Sequence, residues 1–154
     1  MGTRHLHIFP TQKKDRKKVQ YLQWDGDPKI QLEKFSKELR SFNICMSLMT
    51  YKEKKEKVST WIDFLDSYYK FRSFDSPHSI DAGWRCEIKK RNFFSTLKKD
   101  YSIVSYMYEW DENCNLTVYD GRDGIEKLFT ISLNDLTNKK VNFQKVLKGL
   151  IPSA

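Results

Sequence analysis

Hydrophobic and polar positions change period several times along this chain, and each change marks an element. Thr3 to Phe9 is mostly apolar or aromatic once its histidines are counted, which predicts a strand buried on both faces and ended by Pro10. TQKKDRKK, Thr11 to Lys18, breaks that run with charge and reads as a mobile connection. Val19 to Trp24 is a second strand, so the two predict a hairpin with a basic tip. Pairing ties down a strand that lies almost at the terminus. Asp25-Gly26 turns the chain, and Asp27-Pro28 starts a helix. The Asp side chain accepts from free N–H groups, and Pro fits the first helical position, where its missing donor costs nothing. Leu32, Phe35, Leu39 and Phe42 form one buried stripe, which carries the helix to about Phe42.

Asn43 to Tyr51 fits either a helix or a buried strand, and KEKKEK, Lys52 to Lys57, is a solvated charge run. Ser59 or Thr60 caps a second helix, with Trp61, Leu65, Tyr68 and Arg72 along its stripe. Ser73 to Gly83 is a loop. Trp84, Cys86 and Ile88 alternate with charged residues and predict a short strand, with a helix from Trp84 to Lys99 as the alternative. The clearest β signal follows: Ser102 to Trp110, a turn at Asp111 to Asn115, then Leu116 to Asp120. Gly121 to Gly124 turns the chain again into a strand at Leu128 to Leu133. A last helix carries Phe143, Val146, Leu147 and Leu150 and ends before Pro152. Strands and helices do not alternate regularly. The expected fold is therefore α+β: residues 1–154 as a single domain, with a mostly antiparallel sheet and helices packed on one side of it.

Composition sharpens this picture in three ways. Aromatic residues make up 14% of the 154, so the core is built on rings more than on small aliphatics. The net charge of +8 is concentrated: residues 1–57 hold fourteen Lys/Arg against seven Asp/Glu. An acidic partner, nucleic acid or protein, would meet that third of the chain. Lysine outnumbers arginine 21 to 7, a balance of solvated surfaces more than of base-reading forks. Cys45, Cys86 and Cys114 are odd in number and widely spaced, which predicts free thiols and a reducing, cytoplasmic setting. No apolar run approaches the roughly 20 residues needed to span a membrane. Arg4, His5 and His7 interrupt any signal-peptide core, and Leu6 stands where a myristoylation signal favours Ser or Thr.

Two blocks carry a resemblance. Met1-Gly2-Thr3-Arg4, followed by a hairpin and by Gln23-Trp24-Asp25-Gly26-Asp27-Pro28, resembles a family of small uncharacterised proteins of phages, large DNA viruses and some fungi and bacteria. Its pattern is M-G-T-R and then Q-[WF]-D-G-[YF]-P; Asp27 replaces the aromatic here. SYMYEWDENCNLTVYDG, Ser105 to Gly121, is similar to a late segment of the same proteins. The resemblance implies a mixed α/β accessory protein of phage or viral type.

Candidate chemistry is sparse. Thr3 invites an N-terminal-nucleophile hydrolase, but Met1 removal would leave the α-amine on Gly2. Asp25 and Asp27 flank one glycine as a carboxylate pair, yet turn and cap duties account for both. His5 and His7 lie on one side of a strand and could share a metal with Asp25 or His78; packed strand histidines are the simpler reading, so no metal site is assigned. No phosphate-binding glycine loop, dinucleotide fingerprint, G-x-S-x-G or H-E-x-x-H occurs, so no catalytic set and no cofactor is assigned. The best binding feature is the hairpin tip, Lys13, Lys14, Arg16, Lys17 and Lys18, with Arg4 and Trp24 beside it. The leading expectation is a small non-enzymatic accessory protein that engages a host macromolecule through this basic hairpin. Nucleic-acid binding and an N-terminal-nucleophile hydrolase are the alternatives. Tyr68-Tyr69-Lys70-Phe71-Arg72 mixes bases and rings in the manner of a stacking surface, but its helical spacing favours the core.

Overall fold

The computed structural model describes residues 4–22, 25–72, 85–100 and 104–138. Strands β1 (His5–Pro10) and β2 (Arg16–Leu22) pair antiparallel, with His5 opposite Leu22 and Pro10 opposite Lys17. Three helices follow: α1 (Pro28–Glu38), α2 (Arg40–Leu48) and α3 (Lys54–Arg72). Strand β3 (Arg85–Lys89) leads through a 3₁₀ turn at Lys90–Asn92 into α4 (Phe93–Asp100). A meander of β4 (Tyr106–Trp110), β5 (Asn115–Asp120) and β6 (Glu126–Ser132) precedes the short α5 (Leu133–Thr137).

These strands form one sheet in the order β3-β2-β1-β4-β5-β6. Every neighbouring pair is antiparallel except β1 and β4, which run parallel with His5 opposite Tyr106 and Ile8 opposite Glu109. The first strand therefore sits at the centre and welds the N-terminal hairpin to the late meander. Its six residues are all buried, as a strand covered on both faces requires.

Because side chains alternate along a strand, each strand feeds both faces. Phe9, Tyr108, Trp110, Leu116 and Val118 point to one side and pack with Leu32, Phe35 and Leu39 of α1, Met46 of α2 and Trp61, Leu65 and Tyr69 of α3. Leu6, Ile8, Val19, Tyr21 and Met107 point to the other, where Phe93 and Leu97 of α4 cover them. The α+β class holds, but the helices lie on both faces and not on one. A near-continuous apolar β1 demands that second cover.

Several element limits move for identifiable reasons. The first helix stops at Glu38, because Leu39 sits at φ −92°, ψ −1° and ends the ladder. The ambiguous stretch after it is helical to Leu48, so the strand alternative for Asn43 to Tyr51 is not taken. Neither Ser59 nor Thr60 caps the next helix: α3 begins within the charge run at Lys54, more than a turn before Ser59. Trp84 lies outside the described residues, and the stretch from Arg85 to Lys99 takes the strand reading first, as β3, and then a 3₁₀ turn and α4. The loop at Ser73 to Gly83 and the helix of Phe143 to Leu150 lie outside the described residues.

Candidate functional site

The hairpin tip is fastened where mobility was expected. The Thr11 hydroxyl accepts from the Lys13 N–H at 3.0 Å and lies within donating distance of the Lys13 and Arg16 carbonyls. The Gln12 side-chain nitrogen donates to the Ser59 carbonyl, the Ser59 hydroxyl and an Asp63 carboxylate oxygen, at 3.0 to 3.1 Å. A carbonyl and a carboxylate can only accept, so the Gln12 nitrogen must face α3. The tip is in this way pinned to the helix that the charge run begins.

The basic run is also divided. Register places Lys17 and Lys18 on opposite faces of β2. Lys17 pairs with Glu109, and its ammonium lies 4.7 Å from the centre of the Phe93 ring. Glu109 also accepts from the Tyr119 hydroxyl at 3.1 Å, and burial together with that carboxylate pushes the Tyr119 phenol well above its ordinary range. Lys18 reaches to the α3 side and pairs with Asp66 at 2.7 Å, where Lys70 also pairs. Lys13 meets Glu87 at 3.6 Å. Three of the five basic tip residues are thus engaged within the molecule, so they serve the sheet before any ligand. Arg4 is exposed at the far end of β1, away from the tip, and Trp24 lies outside the described residues.

Lys14 joins a different set. It lines an open groove of about 820 Å³ together with Lys54 and Lys55 at the start of α3 and Lys90 of the 3₁₀ turn. Val58 and Ile62, one turn apart on α3, form the groove's apolar floor. Among the described residues, Lys14, Lys54 and Lys55 make no ion pair, whereas Lys90 meets Glu112 of the β4–β5 turn at 3.6 Å. The strand order brings these segments together: the β1–β2 tip, the α3 start and the β4–β5 turn share one end of the sheet. Sequence reading missed Lys54, Lys55 and Lys90. The signal was present in KEKKEK, but a charge run by itself does not reveal which face of a helix its lysines will occupy.

Of the catalytic candidates, Asp27 has a structural duty. Thr3 lies outside the described residues. Asp25 adopts φ +60°, its carbonyl accepting from the Gln31 side-chain amide at 2.6 Å. The neighbouring Gly26 carbonyl accepts from the buried Tyr108 hydroxyl at 2.6 Å. Asp27 caps α1 by accepting from the Lys29 N–H at 3.0 Å, and Pro28 begins the helix. This segment therefore turns the chain and starts a helix, as the sequence predicts. His5 and His7 are fully buried with ring centres 4.7 Å apart. His7 Nδ1 lies 2.9 Å from the Tyr69 hydroxyl, which also accepts from the Trp110 indole N–H. Among the described residues, no group of three or more His, Cys, Asp or Glu side chains is placed to hold a metal. No described helix is long and apolar enough to cross a membrane.

No protein-family model matches the chain, and no curated protein or solved structure does either.

Proposed function

We propose that the protein works by binding and not by catalysis, and that it grips an acidic macromolecule in the groove between the β1–β2 tip and α3. The observation that carries this reading is the convergence of Lys14, Lys54 and Lys55, none of them ion-paired among the described residues, on one groove. The charges of Lys13, Lys17 and Lys18, by contrast, are spent on Glu87, Glu109 and Asp66. Unpaired cations around one concave surface add their fields and raise the local concentration of an anionic partner. Of the two carboxylates best placed for acid–base work in the sequence, that of Asp27 is occupied by the helix cap, and Asp25 is exposed at the turn. The resemblance to phage and viral accessory proteins supports a host component as the partner.

Retention on immobilised heparin tests this. Lys14→Glu, Lys54→Glu and Lys55→Glu are combined in one variant. Lys29→Glu, Lys37→Glu and Lys127→Glu, all on exposed positions elsewhere, make a control of equal net charge. The groove variant is expected to elute at distinctly lower salt than the control. Equal elution would mean that net charge, and not the groove, carries the attraction, and the proposal would fail.

A further inference from the structure

We infer that the groove takes an acidic, amphipathic polypeptide segment: carboxylates at the Lys14, Lys54 and Lys55 end, apolar side chains on Val58 and Ile62. This inference rests on the proposed function above and narrows it to one class of ligand.

The lining decides the class. Single-stranded nucleic acid is held by aromatic rings that stack on bases as much as by cations, and phosphate is best matched by the arginine fork. Neither an aromatic residue nor an arginine is among the described residues of this groove. What lies between the lysines is aliphatic. Ile62 is nearly covered, but Val58 is only half-buried, and a bare polyanion would leave it wetted and gain nothing from it. A segment carrying leucine- or isoleucine-like side chains beside its carboxylates uses both features at once. The volume, about 820 Å³, has room for several side chains where a single phosphate would need far less.

Two further details favour a polypeptide. The Gln12 nitrogen is committed to Ser59 and Asp63, so its oxygen is left to accept, and a peptide backbone supplies N–H donors where a phosphodiester has none. The positive character of the groove also fades along its length. At the Lys90–Glu112 pair it meets a second cleft of about 210 Å³, which Glu109, Asp111 and Glu112 line with Lys17 and Lys90. There Glu109 and Glu112 are paired with Lys17 and Lys90, and Asp111 is the carboxylate in excess, so a uniform polyanion running through both clefts finds no cation in excess at that end; a segment that is acidic, then apolar, then neutral or basic suits both.

Fluorescence anisotropy with the full chain separates the possibilities. Three labelled probes of similar length are compared at about 50 and 200 mM salt. One is a peptide with glutamates followed by two leucines four residues apart and a lysine; the others are poly-glutamate and a single-stranded oligonucleotide. The leucine-bearing peptide is expected to bind about tenfold more tightly than poly-glutamate at the higher salt. Val58→Asp should erase that advantage while leaving poly-glutamate within twofold, and Lys54→Glu with Lys55→Glu should weaken both peptides. Equal binding of the two peptides, or tighter binding of the oligonucleotide, overturns the amphipathic-peptide inference while the broader reading of an acidic partner stands. If no probe binds above background, both fall.

Discussion

At the residue scale, the molecule is organised by a few polar groups placed among rings. Tyr69 is the clearest. Its hydroxyl accepts from Trp110 at 3.1 Å, which leaves its own proton available to His7 Nδ1 at 2.9 Å. Removing that oxygen strips a partner from two buried groups at once, and unpaired buried groups cost more than the bond itself contributed. Tyr69→Phe is therefore expected to lower stability by about 2 kcal/mol, read from the urea midpoint at unchanged slope. A loss below about 0.5 kcal/mol would mean that the triad is not a structural unit. The cysteines are distinguished by environment. Cys45 is exposed, whereas burial pushes the Cys114 thiol up to about 11. With an ordinary thiol near 8.5, the thiolate fraction of Cys114 at pH 8 is smaller by a factor on the order of 100. Labelling with an aromatic disulfide reagent, followed by peptide mapping, should modify Cys45 long before Cys114. Equal rates would contradict the buried thiol.

At the element scale, the turn and cap between β2 and α1 were legible from the local order Asp25-Gly26-Asp27-Pro28. Asp27 and Pro28 act locally: one side chain meets the next free N–H groups, and one ring fits the first turn. Asp27→Ala should cost about 1 kcal/mol of unfolding free energy, measured by denaturant titration; no loss would remove the cap from the account. Other limits were not legible. The stripe through Leu39 and Phe42 suits one long helix, yet the chain bends at Leu39 so that α2 lies against α5, where the Asn43 amide donates to Thr137. Nothing in residues 39–43 taken alone announces a partner some 94 residues away. The same holds for α5, whose start depends on the Ser132 hydroxyl accepting from the Asp135 N–H at the end of a strand.

At the scale of the whole molecule, one central strand divides two cores. Leu65 on the α3 side and Leu97 on the α4 side are buried to the same degree, at 0% and 1% exposure. If both faces are true cores, Leu97→Ala and Leu65→Ala should each cost about 2–5 kcal/mol. A much smaller loss for Leu97, under about 1 kcal/mol in the same denaturation experiment, would make α4 a surface addition. The lysine-lined groove is also a property of this scale. Its lysines come from the hairpin tip, the start of α3 and the 3₁₀ turn, and they become neighbours only when the sheet is assembled.

By itself, the sequence determined what short-range physics controls: the hairpin, the meander, the cap on α1, the aromatic core and the excess of charge in the first third. Alternation, helical spacing and turn chemistry act within a few residues, so they survive translation into structure. Tertiary structure alone decided that β1 pairs parallel with β4, that helices cover both faces, and that the hairpin's cations divide between internal ion pairs and an open groove. The last of these outcomes depends on which carboxylates arrive from distant segments. Glu109 reaches Lys17 from β4 across the intervening β1, and Asp66 reaches Lys18 from α3 packed on the sheet, so both pairs exist only once these distant segments have assembled.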